Sequence, residues 1–330
     1  MTKLSRHTTL RALAAVAALA AAGNLWAQAF PSKPIRWVIV APAGSSLDVI
    51  ARAMQDKLKD SLGQPIVIDN RAGAGGTQGT NEVAKSTPDG HTWVMSFNGP
   101  LAYAPFLYGN LPYNPARDLQ PVVLTTSQPN LIAVHAAFPA NNMKELVQVL
   151  KANPGKYNFA SVGNGSSSHL TMEYVKAQTN TFAVHIPFNG GPPAVLSTSA
   201  GDTQILATVP TVITPQVAAG RMKAIAVTGK QRYPLTPNVP TVSESGVPEL
   251  LGFEAIAWNG VLVASGTPRP IVDRINAALN AAMNDPQVKE RLRAAGLEPA
   301  GGTPEQFAKL IADESAKWEP VIRRTGAKLD

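Results

Sequence analysis

The order of hydrophobic and polar positions divides the chain into short apolar runs that alternate with amphipathic stretches. Residues 35–40 are rich in β-branched side chains and are bounded by prolines, which predicts a buried strand. Apolar residues then recur at three- and four-residue steps from Val49 to Leu62, which predicts a helix ended by Gly63. Two strands and one helix follow in the same way: strands at 65–68 and 92–97, and a helix to about Lys85 after a glycine loop at 73–79. Strands that alternate with helices predict the α/β class, with a parallel sheet covered by helices on both faces.

The pattern starts again after residue 130 and ends in three helices. Strands are predicted at 131–134, 159–162, 183–186, 205–208 and 224–227, and helices at 143–150 and from about 169 to 178. The final helices carry start and stop signals: Thr267 before Pro268, Asp285 before Pro286, a capping box from Thr303 to Gln306, and Gly296 and Gly326 as the residues that follow helices. A chain of 330 residues with this repeated pattern predicts two domains.

The first 29 residues have the composition of a secretory leader. Three basic residues precede an alanine-rich apolar run at 12–22, and a small-x-small cleavage site occupies 27–29. The apolar run is shorter than the roughly 20 residues that a membrane-spanning helix needs. We therefore predict a signal peptide at 1–29, cleaved after Ala29, and a mature protein in the periplasm. The chain has no cysteine, so we predict no lipid anchor, no disulfide and no cysteine-based zinc site.

Charge argues against a nucleic-acid partner. The formal net charge is +7, but the leader holds three of the basic residues and no acidic one, so the mature chain has +4. The remaining basic residues are scattered, with no run longer than Arg323-Arg324, whereas nucleic-acid binding needs a basic patch. A modest, dispersed positive charge is typical of a protein that meets small anions.

One local arrangement that could bind an anion occurs in both halves of the chain: a strand ends, a loop of glycine and serine follows, and a helix begins. The first amides of a helix lack internal partners and lie at the positive end of its dipole, and glycine lets a ligand approach them. In open α/β sheets, ligands bind beyond the carboxyl ends of the strands, where such loops lie. The alternative is an ordinary glycine-rich turn and, for His169, a side chain that faces solvent. The candidate ligand-binding residues are Gly44, Ser45, Ser46, Asp48, Asn98, Ser161, Gly163, Gly165, Ser166, Ser167, His169, Asn189, Gly190 and Gly191.

Signals for an enzyme are missing from the sequence. The glycine loop at 73–79 resembles a dinucleotide loop, but its third glycine comes one residue late. No Gly-x-Ser-x-Gly elbow occurs, and the five histidines form no metal-binding motif. We therefore predict no catalytic residue, no metal and no cofactor.

Short motifs run in a fixed order through the mature chain. They read PSKPI at 31–35, NRAGAGG at 70–76, PDG at 88–90, LPYNP at 111–115, NPGK at 153–156 and SVGNG at 161–165. Each motif alone is weak, but in this order they resemble the tripartite tricarboxylate transporter substrate-binding family, also known as the Bordetella uptake gene family.

The resemblance implies a two-lobed periplasmic-binding-protein fold of type II, the Venus-flytrap architecture, with a ligand cleft between α/β lobes. It implies a first domain of residues 30–126 plus 257–330 and a second of 127–256. Such a protein captures a small carboxylate, a di- or tricarboxylate or an aromatic acid, and delivers it as a monomer to the integral-membrane permease subunits of a tripartite tricarboxylate-type transporter. The alternative is a periplasmic sensor partner for a signalling receptor.

Two departures from the family's pattern leave the ligand's identity open. The first loop reads Ser45-Ser46-Leu47-Asp48, where the family usually has Gly-Gly-Thr-Asp, and Gln204 stands where the family usually has an acidic residue. None of the three glycine-serine loops contains an arginine. We therefore predict that a bound carboxylate is held by backbone amides and hydroxyls. We also predict that the lobes move as rigid bodies about two crossover strands, near 125–128 and 255–259.

Overall fold

The computed structural model describes residues 30–329, and the predicted leader lies outside the described residues. The strands are β1 (Ile35–Ile39), β2 (Ile66–Asn70), β3 (Thr92–Phe97), β4 (Leu119–Pro129), β5 (Leu131–His135), β6 (Asn158–Ser161), β7 (Val184–Pro187), β8 (Ile205–Thr208), β9 (Met222–Val227) and β10 (Ile256–Ala264). The helices are α1 (Ser46–Leu62), α2 (Thr77–Ala84), α3 (Ala104–Leu107), α4 (Pro115–Asp118), α5 (Met143–Ala152), α6 (Ser167–Thr179), α7 (Gly191–Ala200), α8 (Pro210–Ala218), α9 (Arg269–Asn284), α10 (Pro286–Ala294) and α11 (Pro304–Thr325). A π-helix at Gly99–Tyr103 and 3₁₀ turns at Ala74–Gly76, Ser243–Ser245 and Pro248–Leu250 complete the described elements.

The strands form two five-stranded sheets, in the orders β2-β1-β3-β10-β4 and β7-β6-β8-β5-β9. The predicted α/β class is confirmed, but the prediction of parallel sheets is wrong, because both sheets are mixed. β10 runs antiparallel to β3 and β4, and β5 runs antiparallel to β8 and β9. A parallel neighbour needs a long crossover connection. β5 instead follows β4 of the other sheet after one residue, and β10 follows the segment 228–255 that leaves β9, so the crossings set the directions of these strands.

The two crossing strands pair with each other where the chain passes between the sheets. Crossover strands were predicted near 125–128 and 255–259; β4 and β10 lie there but are longer, with 11 and 9 residues. Thr126 lies opposite Asn259 in this antiparallel pair. The Asn259 side chain donates to Thr126 Oγ1 at 2.9 Å, and the Thr125 hydroxyl donates to the backbone oxygen of Asn259 at 2.9 Å. These buried hydrogen bonds tie the crossings together at one place.

Aromatic side chains fill the core of the first sheet and extend it to the second. The Trp258 ring lies 5.7 Å from that of Phe307 on α11. Trp318, also on α11, lies 5.1 Å from Tyr103 and 5.7 Å from Tyr174 on α6. The last helix therefore packs against elements of both sheets.

Local start and stop signals account for most helix ends. Asp285 caps α10, and Thr303 and Gln306 form the expected capping box of α11. Gly63, Gly296 and Gly326 adopt the left-handed conformation as predicted. The prediction for Thr267 is wrong: α9 begins at Arg269 after Pro268, and the Thr267 hydroxyl donates to Ala264 O at 2.7 Å instead of capping the helix. The glycine loop is also shorter than expected, since α2 already begins at Thr77. Across residues 30–329, no helix combines the length and apolarity needed to span a bilayer.

Candidate functional site

A cavity of about 100 Å³ lies between the two sheets, at the carboxyl ends of β1, β3, β6 and β8. Its lining has no ionisable side chain. Apolar side chains form much of the wall: Val40, Leu47, Phe97, Val162, Phe188, Val209 and Val212. Serines, asparagines, a threonine, glycine backbone and a few alanines and prolines form the rest. Drug-sized ligands occupy pockets of about 300–1,000 Å³, so this cavity suits a much smaller molecule.

Two nearly identical turns deliver helix N-termini to this cavity, one from each sheet. Gly44 and Gly165 adopt left-handed φ values of 78° and 70°. The next residues, Ser45 and Ser166, are the N-caps of α1 and α6, with backbone angles of −70°/164° and −75°/164°. Because the turns are equivalent, the same chemistry reaches the cavity from both sides.

The two serines of each turn have different tasks. Ser45 Oγ accepts from the Asp48 amide at 3.3 Å, and Ser166 Oγ accepts from the His169 amide at 3.2 Å while donating to Gly163 O at 2.6 Å. These hydroxyls are engaged in capping. Ser46 and Ser167, the first helical residues, also line the cavity, and their hydroxyls make no hydrogen bond to any residue in 30–329.

Asp48 lies behind the first turn and does not line the cavity. Its carboxylate accepts from the Gly44 amide at 3.0 Å, from Arg52 at 3.0 Å and from Asn70 at 3.1 Å. Burial alone would raise the pKa of Asp48, but these hydrogen bonds outweigh it and hold the pKa below its ordinary value. We therefore correct the expectation for Asp48: its charge is used to hold the loop, and Arg52 neutralises it.

His169 occupies the equivalent place behind the second turn and also points away from the cavity. Its Nδ1 accepts from the Gly165 amide at 3.2 Å, and its ring stacks on His185 with 3.9 Å between centroids. Burial, followed by the charges of His185 and Lys176, lowers the pKa of His169 to about 3, so the ring is neutral. The expectation that His169 faces the ligand is thereby corrected, because the backbone of its own turn takes the nitrogen.

The remaining candidates divide by whether they reach the cavity. Five more candidates line it besides the four serines: Asn98, Gly163, Asn189, Gly190 and Gly191. Gly44, Gly165 and Ser161 do not. The two glycines shape the turns, and the Ser161 hydroxyl lies 2.6 Å from His185 Nε2 inside the second lobe.

Two polar lining residues were missed by the sequence analysis. Thr208 ends β8, so the same rule about carboxyl ends of strands would have identified it. Asn259 lies within β10, where a crossover strand was expected, but no sequence signal indicated that its side chain lines the cavity.

The lobes touch at the edge of the cavity through glycine backbone. A Cβ atom built on Gly99 would lie 2.7 Å from Gly165 O across the cleft, and one built on Gly75 would overlap Asn164 O. Only residues without a side chain permit this approach. The lobes are therefore in a closed arrangement.

Other charged groups lie away from the cavity. Arg71 is half exposed and pairs with Asp69 at 3.0 Å. Gln204, the residue that departs from the family's acidic pattern, accepts from the Asn158 amide at 2.9 Å and donates to Gly201 O at 2.9 Å, so it joins strand ends. In residues 30–329, no three histidine, aspartate or glutamate side chains cluster closely enough to hold a metal ion.

A cavity of this kind can hold a small anion without an ion pair. Unpaired first-turn amides and two free hydroxyls are donors, and donors directed at a desolvated charge make strong hydrogen bonds. The apolar wall suits the carbon skeleton of an organic acid.

Comparison with known proteins decides the family. Residues 50–327 match the sequence profile described as the tripartite tricarboxylate transporter family receptor. The chain belongs to this receptor family. Receptors of the tripartite tricarboxylate transporter family are periplasmic solute-binding proteins, which agrees with the resemblance found in the sequence.

Members of the receptor family resemble this chain along most of its length. Protein BugT of Bordetella pertussis is 35% identical over 316 residues, which cover 95% of this chain and 96% of BugT. The structure of R. palustris Rpa4515 with adipate has a TM-score of 0.84 at 30% identity and covers 90% of this chain and 98% of that one. MatC (Rpa3494) from Rhodopseudomonas palustris with bound malate has a TM-score of 0.83 at 31% identity, covering 89% and 100%. The predicted two-lobed binding-protein fold is confirmed by these structures.

Proposed function

We propose that this protein is a periplasmic receptor that closes its two lobes around a small carboxylate and delivers it to the permease subunits of a tripartite tricarboxylate-type transporter. In this proposal the lobes are residues 30–126 with 257–330 and residues 127–256, and the protein acts as a monomer. The leader at 1–29 directs export and is removed.

One observation carries the proposal: the N-termini of α1 and α6, from different sheets, converge on one cavity without ionisable side chains. Each terminus offers unpaired amides and a free serine hydroxyl at the positive end of a helix dipole. A carboxylate is a common metabolic anion that such donors can bind. Related receptors whose structures hold adipate and malate support this choice.

Ligand binding is tested first by thermal unfolding with a panel of mono-, di- and tricarboxylates and aromatic acids. A ligand that binds only the native state raises the melting temperature by mass action, and calorimetry then gives its affinity. Neutral amides of the same acids are the matched controls. A panel in which acids and amides shift the melting temperature equally would contradict carboxylate capture.

Export and delivery need separate tests. Mass spectrometry of the protein from a periplasmic extract should find Phe30 as the first residue, and a mass that retains 1–29 would contradict cleavage. Uptake of the labelled acid should fall in cells that lack this protein and return with the wild-type gene. Normal uptake together with a lost transcriptional response to the acid would instead favour the sensor function.

A further inference from the structure

Asn98 differs from the other residues of the cavity because its amide nitrogen is fully hydrogen-bonded while its amide oxygen is not. It follows β3 directly, is 1% exposed and lines the cavity. Its Nδ2 donates to the Tyr103 hydroxyl at 2.8 Å and to the Ile256 backbone oxygen at 3.1 Å. An amide nitrogen has two hydrogens, so both are committed. Only the acceptor Oδ1 remains, and no residue in 30–329 donates to it.

The orientation of this amide is fixed by its partners. Ile256 O can only accept, so the nitrogen of Asn98 must face it. The Tyr103 hydroxyl lies 3.5 Å from Glu314 Oε2, which also accepts from the indoles of Trp258 at 3.4 Å and Trp318 at 3.1 Å. Because an indole only donates, this carboxylate is the acceptor of the cluster. Tyr103 therefore gives its proton to Glu314 and presents a lone pair to Asn98.

The Asn98 amide cannot flip without losing its hydrogen bonds to Ile256 and Tyr103. A flipped Asn98 would bring its oxygen against Ile256 O and leave the Tyr103 oxygen without a donor. Burial raises the pKa of Tyr103 well above its ordinary value, and the nearby Glu314 charge raises it further, so the hydroxyl keeps its proton. The side-chain oxygen of Asn130 is fully enclosed and has no partner, whereas Asn98 Oδ1 is not fully enclosed. It therefore stays accessible to a molecule in the cavity.

The polar groups of the cavity thus differ by position. The serine turns supply donors for a carboxylate, whereas Asn98 supplies an acceptor that requires a donor from the ligand. An unsubstituted carboxylate has acceptors alone, so lobe closure around it would desolvate Oδ1 without a partner. A ligand ammonium could donate, but no acidic side chain lines the cavity to pair with its charge. A hydroxyl meets the requirement without a charge.

We propose that Asn98 is a specificity-determining residue and that the protein takes a hydroxy acid in preference to the same acid without its hydroxyl. The inference rests on the proposed carboxylate-binding function and adds the ligand class. Glu314 acts through Tyr103 as a positioning residue, because it determines which way the Tyr103 proton points.

The test uses calorimetric affinities for matched pairs of acids that differ by one hydroxyl. The pairs are malate and succinate, citrate and tricarballylate, and mandelate and phenylacetate. Wherever a pair binds, the hydroxylated acid should bind at least tenfold more tightly, which is about 1.4 kcal/mol at 25 °C. Equal affinities within the binding pairs would overturn the inference while leaving carboxylate capture intact. If no acid in the wider carboxylate panel binds, the proposed function itself fails.

Variants of Asn98 test whether this residue causes the preference for a hydroxy acid. Asn98→Leu removes the acceptor at similar volume, and Asn98→Ala removes it with a smaller side chain, should the leucine variant not fold. Either variant should lower the ratio of the two affinities to near one, mainly by weakening the hydroxy acid. Asn110→Leu, an exposed asparagine on the same lobe outside the cavity, should leave both affinities unchanged.

Glu314→Leu tests the positioning role separately. Leucine cannot accept from Tyr103, which frees the tyrosine proton to turn toward Asn98. The affinity ratio should then fall while the affinity for the unsubstituted acid stays within about twofold. A full preference in Asn98→Leu or Asn98→Ala would show that another group accepts from the ligand hydroxyl.

Discussion

Ser46 and Ser167 occupy the same position in two different lobes, as the first residues of α1 and α6, and both line the cavity. The serine before each is the helix cap. From the sequence, the two serines of each turn could not be told apart. In the structure, one serine caps the helix and the other has a hydroxyl that is available to a ligand.

Because the two serines of each turn have different roles, replacing one should weaken ligand binding and replacing the other should lower stability. Ser46→Ala or Ser167→Ala should weaken ligand binding about tenfold to a hundredfold, because a hydrogen bond to a charged group contributes about 1.5–3 kcal/mol. Ser45→Ala or Ser166→Ala should lower the free energy of unfolding by about 1 kcal/mol. Calorimetric affinity and chemical unfolding are measured on all four variants. Unchanged affinity in both Ser46→Ala and Ser167→Ala would place the ligand elsewhere.

Arg71 should contribute little to binding. Its guanidinium pairs with Asp69, is half exposed and does not line the cavity. Arg71→Ala should therefore change the affinity for a carboxylate by less than about 0.5 kcal/mol, because solvent screens an exposed charge that does not contact the ligand. Ser167→Ala, measured beside it, is the positive control. A loss above about 2 kcal/mol would mean that the arginine reaches the ligand in solution.

Closure of the lobes should depend on the bare backbone of Gly99. Its Cβ would lie 2.7 Å from Gly165 O on the other lobe and 2.7 Å from the Phe97 ring. Gly99→Ala should hold the lobes apart and weaken binding by about tenfold or more, because closure completes the site. Small-angle scattering of the saturated variant should give a larger radius of gyration than that of the saturated wild type.

Gly109→Ala is the matched control for this prediction, since the added methyl would meet nothing within 4 Å. It should bind and close like the wild type. If Gly99→Ala closes and binds normally, contact at this edge does not limit closure.

Acid should destabilise the protein through the stacked histidines of the second lobe. Burial lowers the pKa of His169 to about 3, against 6.5 for an unperturbed ring. Between these values the unfolded chain binds a proton that the native ring does not, so the free energy of unfolding falls as the pH drops below about 6.5. For His169 the loss amounts to about 2–3 kcal/mol at pH 4.5.

Urea unfolding from pH 7.5 to 4.5 measures this loss, with His169→Gln as the comparison. The glutamine oxygen can still accept from the Gly165 amide, but the side chain does not titrate in this range. The variant should therefore show a shallower dependence of unfolding free energy on pH. An identical slope in variant and wild type would mean that His169 does not titrate in this way. Glu173 Oε1 lies 3.8 Å from His169 Nε2 but is engaged by Lys176 at 2.7 Å, so it offers the ring little compensation.

The sequence by itself determined the features that depend on neighbours a few residues apart. The strand at 92–97 and that at 205–208 agree with β3 and β8, and Gly63, Asp285 and Thr303 end or begin helices as predicted. The repeated glycine-serine turn could also be found, because a cap and its helix amides lie within one turn of chain.

Only the tertiary structure decided which side chains face the ligand. Asp48 and His169 are held behind their loops by hydrogen bonds from nearby amides. Asn70 also donates to Asp48, and the His185 ring stacks on His169. The sequence does not show that these more distant partners lie there. The antiparallel place of β10 between β3 and β4 was not predicted, because the crossing from the other lobe sets the direction of this strand. Asn98 shows the limit most clearly: its orientation depends on Ile256 and, through Tyr103, on Glu314, which lie 158 residues from Asn98 and 211 from Tyr103 along the chain. Contacts over such separations arise from packing, and no local pattern encodes them.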